Sequence, residues 1–130
     1  MSEVSRPLSP HLQVYRWQVS NTLSIVHRLT GVVLSLGGVA LVVWLLALAS
    51  GQSAFVELSW AFSSFLGQLS LVGWTFSFCF HLCNGLRHLV WDAGRGFDKA
   101  VARRSGLVVV AAAVFMTLVV WVAAFTRVAA

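Results

Sequence analysis

The stretch His81-Leu82-Cys83-Asn84-Gly85-Leu86-Arg87-His88 closes a run, Leu58 to Leu86, that contains no Asp, Glu, Lys or Arg. A run of this length exceeds the roughly 20 residues that a membrane span needs. In lipid it must be a helix, because each segment has to satisfy its own backbone polar groups. An ionisable ring at that depth is costly unless something binds it, so His81 is a functional candidate. Gly85 follows four positions later on the same helix face, where a flat group can approach the backbone. Arg87 and His88 stand at the rim of the span.

Two further uncharged runs lie on either side, Leu29 to Ala49 and Ser105 to Thr126. The expected fold is therefore an all-α membrane protein with three transmembrane helices, at 29–49, 66–89 and 105–126. The segment 1–28 precedes them and contains the start of the first helix, and the whole of 1–130 is one domain. Ser59 to Ser64 is expected at the membrane interface. No cleavable signal peptide is expected, since the first 28 residues are mostly polar and the apolar run after them is too long for such a signal. Gly37, Gly38, Gly67 and Gly73 are expected to permit close helix approach. Trp44, Trp60, Trp74, Trp91 and Trp121 read as packing or interface anchors. The span over Leu107 to Val122 has no ionisable residue and reads as structural.

Composition agrees. Of 130 residues, 58% are hydrophobic and 10% charged, with a mean hydropathy of +0.84. Soluble domains carry about 25% charged residues. The formal net charge of +5 does not indicate nucleic acid, because the basic residues flank apolar runs. Arg6, Arg16, Arg28, Arg87, Arg95, Lys99, Arg103 and Arg104 all fall on one side, with Arg127 alone on the other. The positive-inside rule then puts the N-terminus in the cytoplasm, or the matrix of a mitochondrion, and the C-terminus outside. Cys79 and Cys83 are one helical turn apart, which is not redox or zinc spacing. They read as small buried hydrophobes.

The remaining polar residues gather on the inner side. His11 is expected to face solvent or a partner. Ser24, His27 and Arg28 share one helix face at i, i+3 and i+4, with Ser20 or Asn21 as candidate N-caps. That face offers a hydroxyl, an imidazole and a guanidinium, suited to a quinone carbonyl or a haem propionate. It also suits a capped helix start with a snorkelling arginine. His81 lies six residues before Arg87, about 9 Å deeper at about 1.5 Å per residue. It reads as a haem ligand or as a buried hydrogen-bonded histidine. His27 is expected near the surface, too shallow to share an upright haem with His81. His88 suits a propionate or a polar network. Asp92 offers an ion pair with Arg87 or Arg95, or a proton relay. Three helices rarely enclose a cofactor unaided, so the chain implies a partner subunit. No nucleotide loop, flavin signature or nucleophile–base set is present. No acid lies within a span, which argues against a small proton-coupled exporter.

Three motifs carry a resemblance. Arg6-Pro7-Leu8-Ser9-Pro10-His11-Leu12-Gln13-Val14-Tyr15, Ser24-Ile25-Val26-His27-Arg28-Leu29-Thr30-Gly31 and His81-Leu82-Cys83-Asn84-Gly85-Leu86-Arg87-His88-Leu89-Val90-Trp91-Asp92 occur in that order. The chain resembles the cytochrome b556 subunits of succinate dehydrogenase, the larger membrane anchor of respiratory complex II. The resemblance implies a helical bundle shared with a second small anchor, holding one haem b. It implies His81 as this subunit's axial ligand to the haem iron, with the other ligand from the partner anchor. It implies Ser24 and Arg28 in a ubiquinone pocket, and His27, Arg28 and His88 near a haem propionate or edge. Asp92 matches an acid at the end of the motif. FAD and iron–sulfur clusters would reside in the flavoprotein and iron–sulfur subunits. The implied location is a bacterial inner membrane with the N-terminus cytoplasmic, a mitochondrial inner membrane being the other choice. The rival readings are a fumarate reductase anchor working with menaquinol and a haem-free structural anchor.

Overall fold

The computed structural model describes residues 14–129. The segment up to Gln13, with His11, Pro7 and Pro10, lies outside the described residues. Four helices follow in order: α1 (Val19–Ser50), α2 (Gln52–Ser63), α3 (Phe65–Asp92) and α4 (Lys99–Ala129). The helices α1, α3 and α4 are long and apolar enough to cross a membrane, which makes the chain a helical membrane protein. Each of the three runs past the apolar segment it carries, so polar residues at their ends are held in helical register with the spans.

The first helix begins earlier than its polar residues suggest. Gln18 is the N-cap and makes no side-chain cap bond. Asn21, expected as a cap, instead donates its amide to the Tyr15 hydroxyl, and Trp17 Nε1 donates to Thr22 Oγ1 at 2.7 Å. Aromatic side chains thus take up the polar groups of the first turn, and Asn21 is already helical. At the far end, Gly51 at φ 119° separates α1 from α2. Ser64 then breaks the long uncharged run, with its hydroxyl accepting from Gly67 N at 3.1 Å. That N-cap bond satisfies one orphan donor at the start of α3. Gly67 sits against the backbone of Ala61 and Phe62, so the corner between α2 and α3 has no room for a side chain.

The helix α3 is central and packs on both α1 and α4. Its contact with α4 is closed by Cys79, Phe80, Val109 and Ala113, and Leu23 reaches in from α1. Lipid gives helices no hydrophobic reason to associate, so small residues that allow close approach carry much of the packing. Gly106 shows this: a Cβ there would meet Leu23 Cδ1. Hydroxyls within the spans bond back one turn, as Ser77 to Gly73 O and Thr117 to Ala113 O at 2.8 and 2.7 Å. Such back-bonds spare the hydroxyl an unsatisfied burial. Cys83 donates towards Met116 Sδ at 3.9 Å and Cys79 is buried in the core. Both thiols behave as small core side chains.

Candidate functional site

The site is built where α3 crosses α1. The His27 and His81 rings stack with centroids 3.8 Å apart and planes 15° from parallel. His88, two turns from His81 on α3, brings its ring to 5.3 Å from His27. The depth reading of the sequence is corrected here. His27 adjoins Arg28 in the chain, yet its ring lies level with His81. The reason is that α1 starts at Val19, so His27 is already more than two turns inside the helix and faces α3. The three histidines form one cluster.

The contacts of His81 distinguish its two ring nitrogens. Nδ1 lies 3.2 Å from the His27 carbonyl oxygen and 3.2 Å from Thr30 Oγ1. A carbonyl has no proton to give, so Nδ1 must carry one and donate. Thr30 Oγ1 in turn donates to the same His27 carbonyl at 2.9 Å, which leaves its lone pairs to accept from His81. In the neutral ring Nε2 is then the bare nitrogen. Metal-ligating histidines show this arrangement, with one ring N–H held by an oxygen and the other nitrogen free to bind. Gly31 allows the approach: a Cβ there would stand 3.3 Å from His81 Cε1.

The surroundings fit a flat ligand. Nothing lies within 4 Å of where a Cβ would stand on Gly85, one turn from His81. One turn before His81 on α3, at Ser77, an apolar groove of about 950 Å³ opens between α1, α2 and α3, with Gly37, Trp74 and Phe62 among its walls. The donor chemistry suits haem iron: an imidazole whose Nδ1 faces two oxygens, leaving Nε2 to ligate. Among the described residues no group of three His, Cys, Asp or Glu is placed to hold a bare metal ion.

Other candidates are placed differently. Ser24 is half-buried and Arg28 exposed, one turn apart on α1. Asp92 is exposed at the end of α3. Arg87 does not pair with it. Arg87 is 7% exposed, and its guanidinium turns into the α3–α4 contact instead. Its Nε donates to Ser105 Oγ at 3.0 Å, Nη2 to the Ala102 carbonyl at 2.9 Å and Nη1 to Asn84 Oδ1 at 3.4 Å. The Trp91 ring covers its face at 3.9 Å. Trp91 also donates Nε1 to Gly96 O at 3.2 Å. The loop it holds leaves α3 through a Schellman turn, with Gly94 at φ 76° and bonds from Gly94 N to Trp91 O and from Arg95 N to Val90 O. That motif needs a left-handed residue, which glycine adopts without strain.

Thr30, Gly31 and the Arg87 clamp are the residues that sequence reasoning missed. Thr30 and Gly31 were visible as the continuation of the Ser24–Arg28 motif, and Thr30 stands at i+3 from His27.

A family model for the succinate dehydrogenase/fumarate reductase transmembrane subunit matches residues 2–120. The chain is 42% identical over 117 residues to the succinate dehydrogenase cytochrome b556 subunit of Rickettsia prowazekii, which covers 90% of this chain and 91% of that protein. It is 38% identical over 121 residues to the cytochrome b556 subunit of Paracoccus denitrificans, covering 93% of each. Against the mitochondrial cytochrome b560 subunit of Sus scrofa it is 37% identical over 107 residues, 81% of this chain and 63% of that protein.

Proposed function

This chain belongs to the succinate dehydrogenase/fumarate reductase transmembrane-subunit family, and from that membership we propose that it is the cytochrome b anchor of a succinate:ubiquinone oxidoreductase. It serves there in electron transfer from succinate to ubiquinone and does not oxidise succinate itself. Its partners are a second small membrane anchor, an iron–sulfur subunit and a flavoprotein subunit, the last two holding the clusters and FAD. The location is a bacterial inner membrane, with the N-terminus and the α3–α4 loop on the cytoplasmic side. The charge asymmetry across the spans supports that orientation.

The observation that carries the haem assignment is the pair of oxygens 3.2 Å from His81 Nδ1, which leaves Nε2 as the nitrogen available to ligate. His81 Nε2 would ligate the iron, and the partner anchor would give the second axial ligand. His27, His88 and Arg28 would hold the propionate side. When bound, haem b supplies a one-electron redox centre beside the quinone pocket. The Ser24 hydroxyl donates a hydrogen bond to a ubiquinone carbonyl. Arg28, a fixed cation one turn away, stabilises negative charge developing on the quinone oxygen, which is electrostatic preorganisation. Asp92, exposed at the same end of the bundle, is available to pass protons from water.

The deciding experiment is a dithionite-reduced-minus-oxidised visible spectrum of the complex that copurifies with this chain, beside His81→Ala. A b-type spectrum lost or shifted in the variant is expected. A wild-type complex without haem would leave a haem-free anchor. For the pocket, Ser24→Ala or Arg28→Leu should lower succinate:quinone activity by about tenfold or more, the range for one transition-state donor, while sparing succinate oxidation with an artificial dye. Unchanged quinone activity in both variants would remove the quinone assignment.

A further inference from the structure

The hydrogen bonds behind His81 single out one residue that the family motifs leave without a role. Thr30 is 6% exposed, and its hydroxyl is fully committed. It donates to the His27 carbonyl at 2.9 Å and lies 3.2 Å from His81 Nδ1. The His27 carbonyl lies at the same 3.2 Å from Nδ1, but as a main-chain helix acceptor that also takes the Thr30 proton it is crowded. The Thr30 oxygen has lone pairs with no other claim on them. It is the better acceptor for the imidazole N–H.

We propose that Thr30 is the positioning residue for the haem ligand: its hydroxyl, oriented by the His27 carbonyl, holds Nδ1–H of His81 beside that carbonyl and thereby sets the ring rotation and donor strength of Nε2. The inference rests on the reading of His81 as an axial ligand. A hydrogen bond accepted from Nδ1–H raises the basicity of the coordinating nitrogen. A more basic ligand stabilises the ferric state, and loss of the bond raises the reduction potential. Gly31 completes the device, because a Cβ at that position would already crowd His81 Cε1 at 3.3 Å. The ring edge that meets the oxygens is the one that the absent side chain lets in close.

The test uses the assembled complex with Thr30→Val, which replaces the hydroxyl by a methyl of the same shape, beside Thr30→Ser, which keeps the hydroxyl. Haem content per complex, the haem midpoint potential and the low-spin electron paramagnetic resonance g-values are measured in each. The expected result is a positive shift of potential and altered g-values in Thr30→Val at wild-type haem content, with Thr30→Ser at the wild-type values. Haem lost from an assembled Thr30→Val complex, and retained in Thr30→Ser, equally supports the inference. A haem-loaded Thr30→Val with wild-type potential and g-values overturns it. Thr30→Ala is run as well, since it removes the hydroxyl without the added methyl. If Val and Ala variants both fail to assemble while Ser assembles, Thr30 is a folding residue and the inference is overturned. A wild-type complex with no haem would instead remove the parent reading of His81.

Discussion

Gly37 and Gly38 are neighbours in α1 with opposite surroundings, and this makes a sharp test of the packing. A Cβ on Gly37 would fall within the Trp74 indole, whereas nothing lies within 4 Å of one on Gly38. Glycine in a helix interior is less stable than alanine by about 0.5–1 kcal/mol, and this gain is common to both substitutions. Overpacking costs about 1–3 kcal/mol and applies at Gly37 alone. Gly38→Ala should therefore stabilise the full chain by about 0.5–1 kcal/mol. Gly37→Ala should be a net loss, with a gap between the two variants of about 1–3 kcal/mol, the packing term by itself. Trp74→Ala removes the clashing ring, so in that background Gly37→Ala should turn stabilising. The assay is unfolding by titration with a denaturing detergent, followed by far-ultraviolet circular dichroism in mild detergent. The reasoning is refuted if Gly37→Ala is as stable as Gly38→Ala, or if its effect survives the loss of Trp74.

Three further outcomes follow from the geometry. Arg87→Ala removes three hydrogen bonds and a cation–π contact. At about 0.6 kcal/mol for each bond in a membrane setting and about 0.5–2 for the ring contact, a loss of about 2–4 kcal/mol is expected in the same unfolding assay, and Arg87→Lys should recover less than half of it because lysine lacks the planar fork. Gly31→Ala pushes on a ring edge 3.3 Å away; the reduced haem spectrum should shift or its content fall, while secondary structure by circular dichroism stays at the wild-type level. Alkylation with a small maleimide in detergent should modify the half-buried Cys83 before Cys79, which is 2% exposed; mass spectrometry of tryptic peptides reads the order.

What was legible in the sequence was whatever depends on residue type along one helix. The charge-free runs marked α1, α3 and α4, since nothing but a helix satisfies its own backbone in lipid. The i, i+4 relation of His81 and Gly85 is intrinsic to α3. Relations between helices were not legible. The level of His27 against His81 depends on the crossing of α1 over α3, which no spacing within α1 encodes. Arg87 reads on its own helix as a rim cation, yet Ser105 and the Ala102 carbonyl of α4 draw it inside. The cap of α1 was misread because Tyr15 and Trp17 compete for the polar side chains of the first turn. Of the glycines expected at close contacts, Gly37 and Gly67 meet neighbours and Gly38 and Gly73 face open space. A small residue permits an approach without requiring one.

The polar groups of this chain form one continuous layer. Arg87 lies 3.9 Å from the centre of the Trp91 ring, and Trp91 meets His88 edge-on at 5.1 Å. His88 is 5.3 Å from His27, which stacks on His81 at 3.8 Å. A buried cation with only neutral acceptors is a costly element, and its hydrogen bonds offset that cost. Arg87 makes three, two of them to Ser105 and Ala102 on α4, so it is held only while α4 keeps its place. The clamp thus ties the register of α4 to α3, and α3 carries both His81 and His88. The position of the ring that offers its bare Nε2 is accordingly set by helix packing on three sides: α1 through Thr30 and Gly31, α3 through its own backbone, and α4 through Arg87.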